Sequence, residues 1–205
     1  MKMSRKIILF LFSLNTGIAM AIEEPDYQVE SKAHAYEIRK YSEILVAETT
    51  VSASFEDSGS IAFRILADYI FGNNKARAKI EMTSPVTLQP TSEKIAMTAP
   101  VSQSKQADGY SIQFTMPKKY ANLETLPEPN DKRVKLKKIP ARKIAVYSYS
   151  GSWSEERYQE KLNEFLSELR KDQIQIIGEP IFSRFNSPFM IWFLRRNEIW
   201  LEIEK

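Results

Sequence analysis

The residues able to do chemistry in this chain are few. Cysteine is absent and His34 is the single histidine. That removes a thiol nucleophile, disulfides and thiolate metal sites, and with them most zinc sites and two-histidine iron sites. A Ser-His-Asp arrangement would need His34 beside an activated serine, and there is no nucleophile elbow. Six glycines leave no G-x-G-x-x-G fingerprint and no phosphate loop. The adjacent carboxylates Glu155 and Glu156 read as surface helix residues, not an acid–base pair. The basic run Lys132, Arg133, Lys135, Lys137, Lys138, Arg142 and Lys143 alternates with Val134 and Leu136, the pattern of a solvated strand face. The inventory points to a binding protein, not an enzyme. With 43% apolar and 11% aromatic residues in 205, the chain can bury a sizeable core.

The first 21 residues read as an address. Lys2, Arg5 and Lys6 precede an apolar run over 7–14, and Ala19-Met20-Ala21 supplies the small residues of a cleavage site. Export, to the periplasm, with cleavage after Ala21 is the expectation. A retained anchor is the competing reading, but the apolar stretch is short for a span of about 20 residues. Loss of the leader takes three basic groups and no acidic one, so the formal charge falls from +3 to 0. A nucleic-acid partner is therefore not expected, and neither is a stable membrane span after cleavage.

The remaining 22–205 reads as one domain in two similar halves, about 26–105 and 106–205. Residues 37–55 lie over 135–153 without a gap: Val46 meets Ile144, Ala47 meets Ala145, Phe55 meets Trp153. Each half reads strand, strand, helix, strand, strand. Strands are expected at 36–41, 44–51, 80–88, 95–101, 110–116, 134–138, 144–149, 181–185, 192–194 and 198–203. Helices are expected at 58–71 and about 154–171, the second capped by Ser154. The fold class is α+β: a distorted antiparallel β-barrel or sheet with two main helices, built from two pseudo-symmetric ββαββ halves.

The two helices differ. The second carries one apolar stripe, Tyr158, Leu162, Phe165, Leu166 and Leu169. The first has two apolar faces: Ile61, Ala62, Ile65, Leu66 and Tyr69 on one, Phe63, Ala67, Ile70 and Phe71 on the other. A helix on a sheet needs one. Leaving Phe63 and Ile70 in water would forgo about 3 to 5 kcal/mol of burial. The second face is thus expected to be covered by loops of the chain itself, such as 180–193, by a partner, or by an apolar ligand.

Lys79-Ile80-Glu81-Met82-Thr83-Ser84-Pro85-Val86 recurs as Lys94-Ile95-Ala96-Met97-Thr98-Ala99-Pro100-Val101. The prolines place both copies at edges or bulges, with Met82 and Met97 as core fillers. These elements, with Tyr36-Glu37-Ile38-Arg39-Lys40-Tyr41, Asn186-Ser187-Pro188 and Arg195-Arg196-Asn197-Glu198-Ile199-Trp200-Leu201, resemble the SOUL haem-binding protein family in order and over about 25–204. The resemblance implies haem or another tetrapyrrole bound without turnover in a shallow apolar cleft beside the first helix. It places Phe63, with Ala67 and Ile70 by helical spacing, along that cleft, and Phe189 and Met190 in a flap-like loop. Arg64 is the candidate partner of a propionate. Some family members carry a histidine at the slot occupied here by Lys40. His34 lies outside it; it is a candidate axial ligand beside several tyrosines and methionines, with binding by burial alone as the other expectation. Two other readings use the same apolar face: a protein-interaction module, and a binder of other amphipathic small molecules.

Overall fold

The computed structural model describes residues 22–76 and 92–204. Its strands are β1 (Tyr27–Lys32), β2 (Glu37–Tyr41), β3 (Ile44–Val51), β4 (Asn74–Lys75), β5 (Val101–Gln106), β6 (Gly109–Thr115), β7 (Glu128–Pro129), β8 (Lys135–Ile139), β9 (Arg142–Tyr149), β10 (Ile181–Arg184) and β11 (Asn197–Glu202). The helices are α1 (Phe55–Ile70) and α2 (Glu155–Lys171). Among the described residues nine strands form one antiparallel sheet in the order β1-β2-β9-β11-β10-β5-β6-β3-β8, and β4 pairs with β7 apart from it. The architecture is α+β, a large curled sheet of the half-barrel kind with two helices. The order β2-β9-β11-β10-β5-β6-β3-β8 is unchanged when β2, β3, β5 and β6 are exchanged with β8, β9, β10 and β11 and the list is read backwards.

Alternation along the strands divides the core. Ala145, Ile199, Leu201 and Phe182 pack with α2 side chains Tyr158, Leu162, Phe165 and Leu169. Ile144, Val146 and Trp200, one residue out of phase, pack with Tyr41 and Phe185 on the other face, as a period of two demands. Ala47, Ile112 and Phe114 pack with Ala62, Ile65, Leu66 and Tyr69 of α1. Both helices begin on a serine cap: Ser54 Oγ accepts from the amide of Asp57, and Ser154 Oγ from that of Arg157.

Several expectations need correction. The strand expected at 95–101 starts only at Val101 and runs on through Ser102-Gln103-Ser104-Lys105-Gln106, a polar stretch without the apolar alternation that marks strands. Before it, Ile95, Thr98 and Ala99 are buried but Met97 is exposed, so Met97 fills no core; Met82 and the expected strand at 80–88 lie outside the described residues. The segment 192–194 is a turn of 3-10 helix, not a strand. β1 escaped the pattern because all six of its residues are exposed on an edge. Of the basic run, Lys132, Arg133, Lys135, Lys137 and Lys138 are solvent-exposed, whereas Arg142 and Lys143 are half-buried and paired with Glu202 and Glu30.

Candidate functional site

α1 is fixed at both ends by polar contacts. At its start, Gln103 of β5 donates from Nε2 to the carbonyl of Phe55 at 2.9 Å and to Ser58 Oγ at 3.1 Å. At its end, the amide of Ile95 donates to the Ile70 carbonyl, Tyr69 Oη donates to the Pro127 carbonyl, and Asn74 Nδ2 bridges the carbonyls of Tyr69 and Glu93. The contacts of Ile95 and Asn74 with the Ile70 and Tyr69 carbonyls serve groups that a helix C-terminus leaves without intrahelical partners.

With α1 so held, its first apolar face goes into the core: Ala62, Ile65, Leu66 and Tyr69 are buried, while Ile61 at the margin is exposed. The second face lies alongside. Gly59, Phe63, Ala67 and Ile70 fall within about 80° on the helical wheel. Ile70 is 1% exposed and Ala67 7%. Phe63 is half-buried and its ring lies 5.4 Å from that of Phe114. Arg64 is exposed and makes no ion pair among the described residues, so its guanidinium is available to an anion. The open edge of α1 beside the second face is thus the one carrying Phe63, Arg64 and Phe71, with Ile61 exposed at the far margin of the first face.

The head of this edge holds an arginine that the sequence did not single out. Arg184, at the end of β10, points to the helix side of the sheet like Phe182. Its guanidinium lies so close to Gly59 that a Cβ there would sit 2.7 Å from Nη1, and glycine is what makes room for it. Nη2 donates to Gln103 Oε1 at 2.5 Å, Nε is buried without a hydrogen-bond partner, and no carboxylate pairs with it among the described residues. Burial pushes this guanidinium down to about 10, with Tyr149 acting in the opposite sense. It lies 5.3 Å from the Phe182 ring centroid and 5.5 Å from that of Trp153. Arg195 lies 4.4 Å from the same Trp153 ring.

Beyond β10 comes the segment the resemblance names as a flap. Phe189 is 95% exposed, and Met190, Ile191, Trp192, Phe193 and Leu194 are all exposed as well. Six large apolar side chains in succession stand in solvent, so this stretch does not hide them against α1. Phe189 and Met190 were named from the motif. Ile191 to Leu194 were missed because a continuous apolar run reads equally as core.

His34 sits elsewhere. It is exposed, in a shallow depression with Ala35, Tyr147 and the α2 residues Glu164, Ser167 and Glu168, and none of the α1 candidates lines it. Lys40 lines another depression, with Glu30, Arg142 and Lys143. No group of three His, Asp or Glu side chains could hold a metal ion among the described residues.

On the face of the sheet away from the helices lies a buried charge cluster. Glu198, 1% exposed, accepts from Arg39 Nη1 at 3.1 Å, Arg196 Nε at 3.1 Å and Trp200 Nε1 at 2.7 Å. Burial lowers Arg39, but Glu198, Tyr41 and Glu37 together outweigh it and hold the guanidinium above its ordinary value. Tyr41 is pushed up, chiefly by burial and then by Glu198. Glu198 and Arg39 are buried and paired with each other, and Arg196 closes the cluster toward solvent, so it serves the fold.

Residues 22–202 match the family model described as SOUL heme-binding protein. The chain belongs to the SOUL heme-binding protein family. Heme-binding protein 2 of Homo sapiens is 30% identical over 192 residues, covering 89% of this chain and 87% of that one. Heme-binding protein 2 of Mus musculus is 28% identical over 190 residues, covering 88% and 86%. Among solved structures this SOUL chain is similar to the EcmrR C-terminal domain, with a TM-score of 0.54 at 12% identity over 87% of this chain and 98% of that one. It is also similar to a hydrolase from Listeria innocua, at 0.52 and 8%, over 85% and 94%. At such identities these two structures speak to the fold alone.

Proposed function

We propose that the protein binds haem or a related tetrapyrrole without turning it over, in an apolar cleft between the open edge of α1 and the loop 189–194. The observation that carries this reading is the solvent-exposed apolar run at 189–194 in a chain of the SOUL heme-binding family. A tetrapyrrole needs a broad apolar surface with cations at its rim. Phe63 on α1, with Phe189 and Met190 on the loop, supply the surface. Arg64 supplies a cation for a propionate, a charge-assisted contact. Ala67 and Ile70 lie deeper and act as the floor that holds Phe63 in place.

Bound haem would supply an iron centre and a planar apolar body. The contribution of this chain is burial and orientation. His34 is the single histidine for an axial bond, and its place beside α2 argues for binding through burial and propionate contacts instead. The same reading includes export to the periplasm with loss of 1–21, and descent from a duplicated half, which the strand order of the sheet supports.

Hemin titration followed at the Soret band tests the function. A saturable shift with one site at micromolar or tighter affinity is expected. A featureless spectrum that never saturates refutes the reading and leaves the apolar edge to a protein partner or another amphiphile. Sequencing the N-terminus of the exported protein tests the cleavage after Ala21.

A further inference from the structure

We propose that the loop 189–194 is a membrane-docking element, which enters the outer part of an anionic lipid leaflet with Arg195 against lipid phosphate. The inference shares Phe189 and Met190 with the proposed cleft and goes beyond tetrapyrrole binding by giving the same loop a lipid surface to dock on.

Three observations carry it. The first is the apolar run. A knob of Phe, Met, Ile, Trp, Phe and Leu, with Phe189 95% exposed, is costly to leave in water and marks an interaction surface. Trp and Phe are also the residues that favour the bilayer interface.

The second is that part of the loop's backbone is already paired within the loop. Arg195 donates from Nε to the Met190 carbonyl at 2.9 Å and from Nη2 to the Pro188 carbonyl at 2.8 Å. The amides of Met190, Leu194 and Arg195 donate to the carbonyls of Ser187, Ile191 and Trp192. The amide of Phe189 donates to Ser187 Oγ. Backbone groups already paired lose little on entering a medium without water, the main obstacle to putting a loop there.

The third is charge. Across 180–197 the chain carries Arg184, Arg195 and Arg196 and no Asp or Glu. Arg196 is paired with Glu24 and Glu198. Arg195 has no carboxylate partner among the described residues, and it sits at the base of the knob, at the depth where phosphates would lie. A second copy of the chain is a poorer fit, since the depressions around His34 and Lys40 are edged with charged side chains.

The test uses the full chain, without hemin, and vesicles of phosphatidylcholine and phosphatidylglycerol whose acyl chains are either plain or brominated. Tryptophan emission is read. Residues 1–21 contain no tryptophan, so the leader does not report even where it binds lipid. Trp200 is buried and Trp153 is packed under Arg195, which leaves Trp192 as the exposed reporter. Emission that shifts to the blue and is quenched by brominated lipid, with most of the quenching lost in Trp192→Phe, is the expected result. In flotation, F189S/W192S/F193S, all at exposed positions and checked by thermal melt, should lower the share bound to vesicles by about tenfold. Equal Trp192 emission in plain and brominated vesicles that carry the chain, or no association with vesicles, overturns the proposal. So does a blue shift that grows with protein concentration in the absence of lipid, which would make the partner a second copy. Failure here leaves the Soret titration unaffected, and failure of that titration leaves this one standing.

Discussion

Replacing Phe63 by aspartate probes the cleft most directly, because the side chain belongs partly to the core and partly to the open edge. Its ring packs on Phe114, which is buried, and the rest of it is in solvent. Truncating a fully buried Phe costs about 3 to 5 kcal/mol, so a half-buried one should cost about 2 kcal/mol. The carboxylate can turn toward water from an edge position, which limits the added desolvation to about 1 kcal/mol. A total near 3 kcal/mol lowers Tm by about 6 to 12 °C in a domain of this size. The fold should survive. Hemin affinity should fall by about tenfold or more, since one apolar contact is lost and a negative charge faces the propionates. Phe63→Leu should keep most of both quantities. The assay is a Soret titration beside a thermal melt for the three proteins. A folded Phe63→Asp protein that binds hemin like the parent would show that the α1 edge is not the site. A Phe63→Asp protein that does not fold, with a Phe63→Leu protein that folds and binds normally, would assign Phe63 to the core alone.

Three further outcomes follow from particular contacts. His34→Ala should leave the Soret band and its titration curve unchanged, because His34 is exposed beside α2; loss of the band would instead make it the iron ligand. Glu198→Gln should cost about 3 kcal/mol in urea unfolding, since it leaves Arg39 buried beside a neutral amide and takes from half-exposed Arg196 one of its two carboxylates; a change under 1 kcal/mol would show that the cluster is worth little. Burial would raise the Glu48 carboxyl, but Lys137 and Gln113 outweigh it and hold it below 4.5. A carboxyl lowered on folding contributes stability above its unfolded value, and that contribution is lost as pH falls through the folded value. Glu48→Gln should therefore be less stable at pH 7 and lose less between pH 5 and pH 3, and an unchanged acid limb in urea melts would refute this.

Much of the molecule could be read from residue order. Alternation at 44–51 and 144–149, and the helical periodicity at 158–169, placed β3, β9 and α2 correctly because each buries one face and the pattern records that face. The four family motifs were legible for the same reason, being short and local. Elements without a buried face were not. β1 is exposed throughout, and β5 is mostly polar, held in the sheet by its ladders with β6 and β10.

The candidate site divides along the same line. That α1 has more apolar surface than a sheet can cover follows from its sequence. Which part of that surface stays open depended on how Ile95, Asn74 and Gln103 pin the helix ends, and those contacts join residues far apart in the chain. The run Phe189 to Leu194 was visible as apolar, but apolar runs are usually core, and only the path of the chain beyond β10 put it in water. The unpaired state of Arg184 was likewise beyond reach, because a missing counter-ion is a property of everything packed around a side chain. Composition and periodicity thus determined the fold class and the excess apolar surface of α1, since both depend on how much apolar surface each element carries, while the ligand class came from the family motifs alone. Tertiary structure alone decided where that surface ends in solvent and which charges border it, because burial is settled by neighbours that are distant in sequence.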